Sequence, residues 1–207
     1  MSDAQYKVAS WMWVQDTTTA TNMWGTIADW DVHLVADFSY SFSVNRNQAG
    51  GSFQRNGNLE ATKWGAGVDL SKWNTASLSS LQGTFYGASL MNADVSKWDV
   101  RGTKNMADTF RDAGRFLGTG LSTWSPRSSL TTLANTFNGA AKVVGNGGST
   151  TDDISSWITD GVTTMEGTFS GASAMNANVG AWIVTEVATL ASTFSTAARF
   201  TGTARAS

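Results

Sequence analysis

Large apolar residues recur along this chain in a fixed order. A tryptophan comes first, a second large apolar residue follows, and a Ser-Phe or Thr-Phe pair completes the set, which occurs six times. The phenylalanine follows the tryptophan by 12 positions in five copies and by 13 in the fourth. The tryptophans are Trp30, Trp73, Trp98, Trp124, Trp157 and Trp182, and the phenylalanines are Phe42, Phe85, Phe110, Phe137, Phe169 and Phe194.

An aliphatic residue precedes each tryptophan by three positions, so the six copies begin near residues 27, 70, 95, 121, 154 and 179. A clean copy is 25 residues long, whereas a repeat of two packed helices needs about 34. This length suits a coil with one short strand and one short turn. We therefore predict a leucine-rich-repeat-like solenoid over residues 27–207. Its short parallel β-strands are expected in segments such as VTTM, and its helical or 3-10 turns in segments such as EGTFSGAS.

The first 26 residues lie outside this period and are predicted to form an N-terminal helical cap. Apolar residues in the stretch 3–24 have helical spacing, Ser2 or Asp3 can cap its first turn, and Asp16 marks a break. Gly25 is suited to end it, because glycine adopts the left-handed conformation at a helix end. A terminal coil exposes its apolar end unless something covers it, so we expect this segment to cover the first copy.

Two insertions interrupt the repeats, at residues 43–66 and 144–153. The first is rich in glycine and asparagine and carries Phe53 and Trp64 as isolated large side chains. Insertions in repeat proteins form loops, often on a binding face, which makes both aromatics candidates for contacting a partner. The alternative is a loop, or a decayed part of a repeat, that the two aromatic side chains simply anchor.

Charge excludes one class of function. The net charge is −2, and charged residues make up 14% of the chain, against roughly 25% in a typical protein. Basic residues are spread along the sequence rather than concentrated on one face, so we expect no nucleic-acid partner. The densest basic set alternates with aspartates, which favours a solvated face over a phosphate site. Its members Arg101, Arg111 and Arg115 complete our candidates for contact with a protein partner.

Residues suited to catalysis or metal binding are sparse. The chain has no cysteine, and its one histidine, His33, has no second histidine at metal-ligand spacing, so a structural or surface role is expected. Asp152 and Asp153 follow a glycine-rich loop, but two adjacent carboxylates do not supply the ligand spacing of a calcium loop. We predict no enzyme activity and no cofactor. No apolar run reaches the roughly 20 residues of a membrane helix, and no secretory signal is visible.

Copy five, ISSWITDGVTTMEGTFSGASAMN, resembles the BspA-like, leucine-rich-repeat-type repeat of bacterial surface proteins, which is also found in mycoplasma lipoproteins and marine algal sequences. That unit reads roughly I-S-x-W-D-x-S-x-V-T-x-M-x-x-M-F-x-G-A-x-x-F-N, and the similarity covers about residues 11–202. The resemblance implies a curved scaffold for adhesion or protein–protein contact, at a cell surface or in an organelle. It implies no shared catalytic residues.

Three functions follow from these observations. The first is a non-enzymatic scaffold for protein–protein interaction or adhesion. The second is a permanent structural subunit of a larger assembly, possibly one associated with a membrane. The third is a carbohydrate-binding or hydrolytic surface protein that uses Phe53, Trp64 and the aspartate-containing loop.

Overall fold

The computed structural model describes residues 1–145 and 152–201. Two α-helices come first, α1 (Asp3–Gln15) and α2 (Thr17–Trp24). Three short 3-10 helices follow, at Ile27–Asp29, Leu59–Lys63 and Leu121–Thr123. The predicted insertion at 144–153 lies partly outside the described residues, as does the end of the last copy.

The ends of the two α-helices lie at residues that the sequence indicated, Ser2, Asp16 and Gly25. The Ser2 hydroxyl accepts from the N–H of Gln5, and the Gln5 side chain accepts from the N–H of Ser2, which forms a capping box. Asp16 ends α1 and caps α2 by accepting from the N–H of Thr19. Gly25, with a φ of 75°, ends α2. The first 24 residues thus contain two helices with the break at Asp16.

Successive copies are joined by backbone hydrogen bonds along a seven-residue stretch that we call the crossing segment. In copies one to five, its first, third, fifth and seventh N–H groups each donate to a carbonyl of the next copy. The six crossing segments are residues 38–44, 81–87, 106–112, 133–139, 165–171 and 190–196. In copy two the donors are Leu81, Gly83, Phe85 and Gly87, and the acceptors are Asn105, Ala107, Thr109 and Arg111, at 2.8–2.9 Å.

The crossing segment has an unusual backbone. Its fourth and sixth N–H groups turn back to carbonyls of the same copy, as Thr84 does to Leu81 at 3.1 Å. Its second N–H donates to a side-chain oxygen two residues earlier, as Gln82 does to the Ser80 hydroxyl at 3.3 Å. Its third residue has a positive φ in all six copies, between 53° and 60°. Glycine adopts this left-handed region without strain, and aspartate and asparagine tolerate it better than most residues. The third residues are Tyr40, Gly83, Asp108, Asn135, Gly167 and Ser192.

The predicted β-strands are wrong. In the described residues the only β-pairing between copies consists of isolated parallel bridges, with one residue from each copy, and no sheet forms. Thr164, inside the segment VTTM, is such a bridge, but the left-handed residue Gly167 follows it closely, and a strand needs consecutive extended residues. The leucine-rich-repeat-like description is therefore incorrect for this chain. The expected helical turn is also absent, because the Phe169 N–H bonds to the next copy.

The interior consists of two rows of rings, which confirms the predicted core. Neighbouring indoles of the tryptophan row lie 5.9–6.3 Å apart and within 16° of parallel. Neighbouring phenylalanines lie 5.4–5.9 Å apart. From copy two onward, each indole N–H donates to the carbonyl of the aliphatic residue that starts the preceding copy, at 2.8–3.3 Å. Tryptophan therefore both fills the core and links adjacent copies.

Helix α1 packs across copy one on the side away from copy two. Its Tyr6 ring stacks on Phe38 with ring centroids 4.6 Å apart. The Asp3 carboxylate accepts from the N–H of Ala36 at 2.8 Å, and the Lys7 ammonium lies 3.2 Å from the Asp37 carboxylate. The helix thus supplies both the apolar cover and the polar contacts that a preceding copy would otherwise provide.

Candidate interaction groove

The first insertion forms one wall of an open groove, and copies two and three form the other. The groove has a volume of about 460 Å³. We call it the insertion groove. It is lined by Val44, Asn45, Phe53, Arg55, Asn56, Tyr86, Gly87 and Asp112. Two aromatic rings, two amides and both signs of charge therefore meet in one depression, on a wall built from crossing segments.

Phe53 is held on the insertion by a small antiparallel pairing. It forms a bridge with Arg46, and the N–H of Gln54 donates to the Asn45 carbonyl at 2.8 Å. One edge of the ring rests against Tyr40, with ring centroids 6.2 Å apart. Even so, 57% of the Phe53 surface remains exposed. The backbone of this aromatic residue is fixed while most of its side chain faces solvent.

Tyr86 forms the opposite wall, with Arg111 behind it. The Arg111 guanidinium lies 4.9 Å from the centre of the Tyr86 ring, within the range of a cation–π contact. The same guanidinium lies 3.1 Å from the Asp108 carboxylate, which fixes its position. Burial raises the pKa of Tyr86, and the adjacent Arg111 charge offsets part of that rise. The phenol is therefore neutral at pH 7 and can donate or accept a hydrogen bond in the groove.

Arg46 ties the insertion to α1 and to copy one. Its side chain has no exposed surface, and it donates to the Ser10 hydroxyl at 3.0 Å. It also donates to the main-chain carbonyls of Lys7 and Ser41. Burial lowers the pKa of Arg46 to about 10, so the group stays protonated at neutral pH. Because one buried cation joins three segments, the base of the insertion is fixed before any partner binds.

Trp64, the second aromatic candidate of the insertion, belongs to the core. Only 7% of its surface is exposed, and its ring stacks on Phe42 with centroids 4.1 Å apart. It also stacks on Phe85 at 5.9 Å. The alternative interpretation, an aromatic residue that anchors the loop, describes Trp64, whereas Phe53 keeps the exposure that a contact residue needs.

The three arginine candidates are not gathered at one place. Arg111 supports the groove through Tyr86, but neither Arg101 nor Arg115 lines it. Arg101 is paired with Asp99 two residues before it, with Nε 2.9 Å from a carboxylate oxygen. Arg115 is exposed on the loop that follows the crossing segment of copy three. Of the sequence candidates, only Phe53 lines the groove, and only Arg111 contacts a residue of its opposite wall.

The remaining polar candidates have local contacts. His33 Nδ1 lies 2.6 Å from an exposed carboxylate oxygen of Asp31. Asp152 is buried and accepts from the N–H groups of Val144 and Gly145, and Asp153 accepts from the N–H of Ser155. Asp152 thus joins the two ends of the second insertion, and Asp153 fixes the backbone that follows it. Within residues 1–145 and 152–201, no three His, Cys, Asp or Glu side chains form a group that could hold a metal ion.

Sequence reasoning did not single out Tyr86, although a signal was present. Tyr86 directly follows the Thr-Phe pair, and the equivalent positions carry small or polar residues or an arginine. These are Ser43, Arg111, Asn138, Ser170 and Ser195. An aromatic residue at a position that is otherwise polar indicates an outward-facing ring.

Comparison with known proteins gave one match. Residues 12–150 and 146–206 match the model of the family described as Mycoplasma protein of unknown function, DUF285. No curated protein and no solved structure matches the chain. No helix in the described part of the chain is both long enough and apolar enough to cross a membrane. The family description names no activity, so inferences about function depend on the groove and its surroundings.

Proposed function

The chain belongs to the family described as Mycoplasma protein of unknown function, DUF285, and we propose that this member is a non-catalytic protein-interaction module. The partner is a protein, and it contacts the insertion groove. Phe53 inserts into the partner, while Tyr86 and the supporting Arg111 supply the polar and cation–π contacts of the opposite wall.

The observation that carries this proposal is the 57% exposure of Phe53 on a backbone that is already paired. A few residues supply most of the energy of a protein interface, and tyrosine and arginine are enriched among them. A prearranged surface also binds more tightly, because less conformational freedom is lost on association. The base of the insertion is held by Arg46 and one groove wall by the stacked copies, so the groove has this advantage.

The repeat unit gives independent support. Its likeness to the BspA-like repeat of surface proteins favours adhesion or protein contact, and we include that closer relationship in the proposal. The relationship concerns the sequence unit and the use of the surface. It does not extend to a leucine-rich-repeat strand architecture.

A permanent structural subunit is the second candidate. It is favoured by apolar side chains of copy six that remain exposed, Ile183 at 48%, Val184 at 45% and Leu190 at 53%. A permanent subunit would co-purify with its neighbours at fixed stoichiometry. An interaction module would exchange its partner and remain soluble by itself.

The test compares Phe53→Ala with Leu59→Ala, both in the first insertion. Leu59 is 59% exposed but does not line the groove, so it is a matched control. Crosslinking of the tagged full chain in cells of its source organism, read by quantitative mass spectrometry, should show partners that Phe53→Ala loses and Leu59→Ala keeps. Both variants should have the melting temperature of the unmodified chain.

Two results would contradict the proposal. One is a partner set that is identical for Phe53→Ala and the unmodified chain. The other is binding of the purified chain to a glycan array that is lost in Phe53→Ala, which would place a carbohydrate in the groove instead.

A further inference from the structure

The outer face of copy six differs from the equivalent face of every earlier copy because no described residue covers it. In copy five, Met165 and Phe169 are 2% and 0% exposed beneath copy six. The equivalent residues of copy six, Leu190 and Phe194, are 53% and 38% exposed. A cavity of about 250 Å³ opens on this face, and its apolar lining includes Met165, Phe169, Trp182, Val184, Leu190 and Phe194.

The same face presents a row of backbone donors. In copy five the N–H groups of Met165, Gly167, Phe169 and Gly171 donate to copy six at 2.8–3.2 Å. The equivalent N–H groups of copy six find no acceptor among residues 1–145 and 152–201; they belong to Leu190, Ser192, Phe194 and Thr196. Unpaired backbone donors are costly to bury, so any partner that covers this face must bring acceptors.

The face also presents carbonyls at the positions that each earlier copy uses. In copy five the Ile154 carbonyl accepts the indole N–H of Trp182 at 3.0 Å. The Met165 carbonyl accepts the hydroxyl of Thr193 at 2.9 Å. The equivalent carbonyls of copy six belong to Val179 and Leu190. The face therefore has a row of N–H donors, two carbonyl acceptors and an apolar cavity. At each earlier junction, groups in this same arrangement are bound by the next coil.

We propose that the outer face of copy six docks a coil of this same repeat unit carried by a separate polypeptide. The docked coil places its indole N–H on the Val179 carbonyl and its threonine hydroxyl on the Leu190 carbonyl. Four of its carbonyls accept from the free N–H row, and its phenylalanine ring stacks on Phe194. This site is separate from the insertion groove and does not depend on the function proposed for it.

A second copy of this chain does not fit the site. The entry face of copy one is covered by α1, where Tyr6 stacks on Phe38 and Asp3 takes up two N–H groups. Two copy-six faces brought together would place one donor row against the other. The docking coil we propose is one that no such helix covers.

The first experiment uses the full chain and a labelled synthetic peptide with the sequence of copy five, residues 154–178. A free peptide loses conformational entropy on docking, so we expect weak saturable binding, with a Kd below about 1 mM in fluorescence anisotropy. Leu190→Glu should weaken it at least tenfold. Leu117→Glu is the matched control, because Leu117 is 51% exposed on copy three, and it should bind like the unmodified chain.

A second experiment raises the effective concentration of the coil by fusing the same 25-residue sequence to the C-terminus through a flexible linker. Amide hydrogen exchange at Leu190, Ser192, Phe194 and Thr196 should slow at least tenfold relative to a fusion with a scrambled sequence. Equal exchange in the two fusions would overturn the complementarity of the face. Absence of saturable peptide binding up to about 1 mM, or equal binding to Leu190→Glu, would overturn docking of a separate chain. Phe53→Ala should bind the peptide normally, so failure here is distinguishable from failure of the groove proposal.

Discussion

Replacing single tryptophans of the interior row with alanine tests how copies stabilise one another. Trp157 is 2% exposed and lies between Trp124 and Trp182, with ring centroids 6.0 and 6.2 Å away. Its indole N–H donates to the Leu121 carbonyl at 3.3 Å. Trp182 is only partly buried and stacks on one indole of the row, that of Trp157. The two residues share a position in the repeat and differ in how completely they are covered.

The expected magnitudes follow from that difference. Removal of a fully buried tryptophan side chain costs about 3–5 kcal/mol through lost burial and the cavity left behind. We expect this loss of unfolding free energy for Trp157→Ala. For Trp182→Ala we expect about half as much, because one face of its ring already contacts solvent or the open cavity and can relax. Leu117→Ala, at an exposed site, should change stability by less than about 0.5 kcal/mol.

Urea unfolding followed by circular dichroism and by the fluorescence of the remaining tryptophans measures these differences. Repeat arrays can unfold in parts, so coincidence of the two probes must be checked before free energies are extracted. A loss for Trp182→Ala equal to or larger than that for Trp157→Ala would refute the reasoning. So would a neutral Trp157→Ala, since it would remove that indole from the core.

Two further predictions test the backbone and the charges. Gly83→Ala should lower the unfolding free energy by about 1–3 kcal/mol, because φ is +57° and a Cβ would lie 2.5 Å from the Tyr40 ring. Asn135→Gly, at the equivalent left-handed position, should leave stability unchanged or raise it. Thermal melts in which Asn135→Gly is the less stable of the two variants would contradict this. Hydrogen bonds from Ser71 lower the pKa of Asp69, and those from Arg101 lower the pKa of Asp99. A carboxyl group whose pKa is lower in the folded state stabilises the fold at pH values above its pKa in the unfolded state, near 3.9. This stabilisation is lost as the pH falls through the pKa of the folded state. The melting temperature should therefore fall below about pH 4, and a constant value down to pH 2.5 would oppose this.

The sequence was sufficient to predict the repeated aromatic residues of the core, although it did not place Trp64 there. A residue that recurs at every turn of a stacked chain is buried against its own equivalents, and the six indoles are arranged in this way. The spacing could not predict the backbone between them. The third residue of the crossing segment is glycine in two copies only, Gly83 and Gly167, so the left-handed position is hidden where Tyr40 or Ser192 occupies it. Asp108 and Asn135 occupy the same position and, with the two glycines, were the residues in the sequence that indicated a left-handed backbone there.

The sequence could not distinguish the roles of Phe53 and Trp64. Both are single aromatic residues in the same polar insertion, and the pattern assigns them the same role. Trp64 does not occupy a repeat position, yet its ring stacks on Phe42 in the core. Phe53 instead pairs with Arg46 and projects outward. This difference depends on the path of the insertion, which Arg46 fixes through a long-range contact with Ser10. Neither the path nor the contact has a local signature.

Specific recognition by a stacked repeat has to come from places where the repeat is broken. The main-chain bonds and ring rows of the interior junctions are already used between neighbouring copies, so they offer a partner no binding groups there. Phe53 lies in an insertion, Tyr86 is an aromatic residue at an otherwise non-aromatic position, and Leu190 lies on the one repeat face that no described residue covers. These departures from the period define two separate surfaces. We therefore expect substitutions in the regular interior to change stability, and substitutions at these sites to change binding with stability preserved.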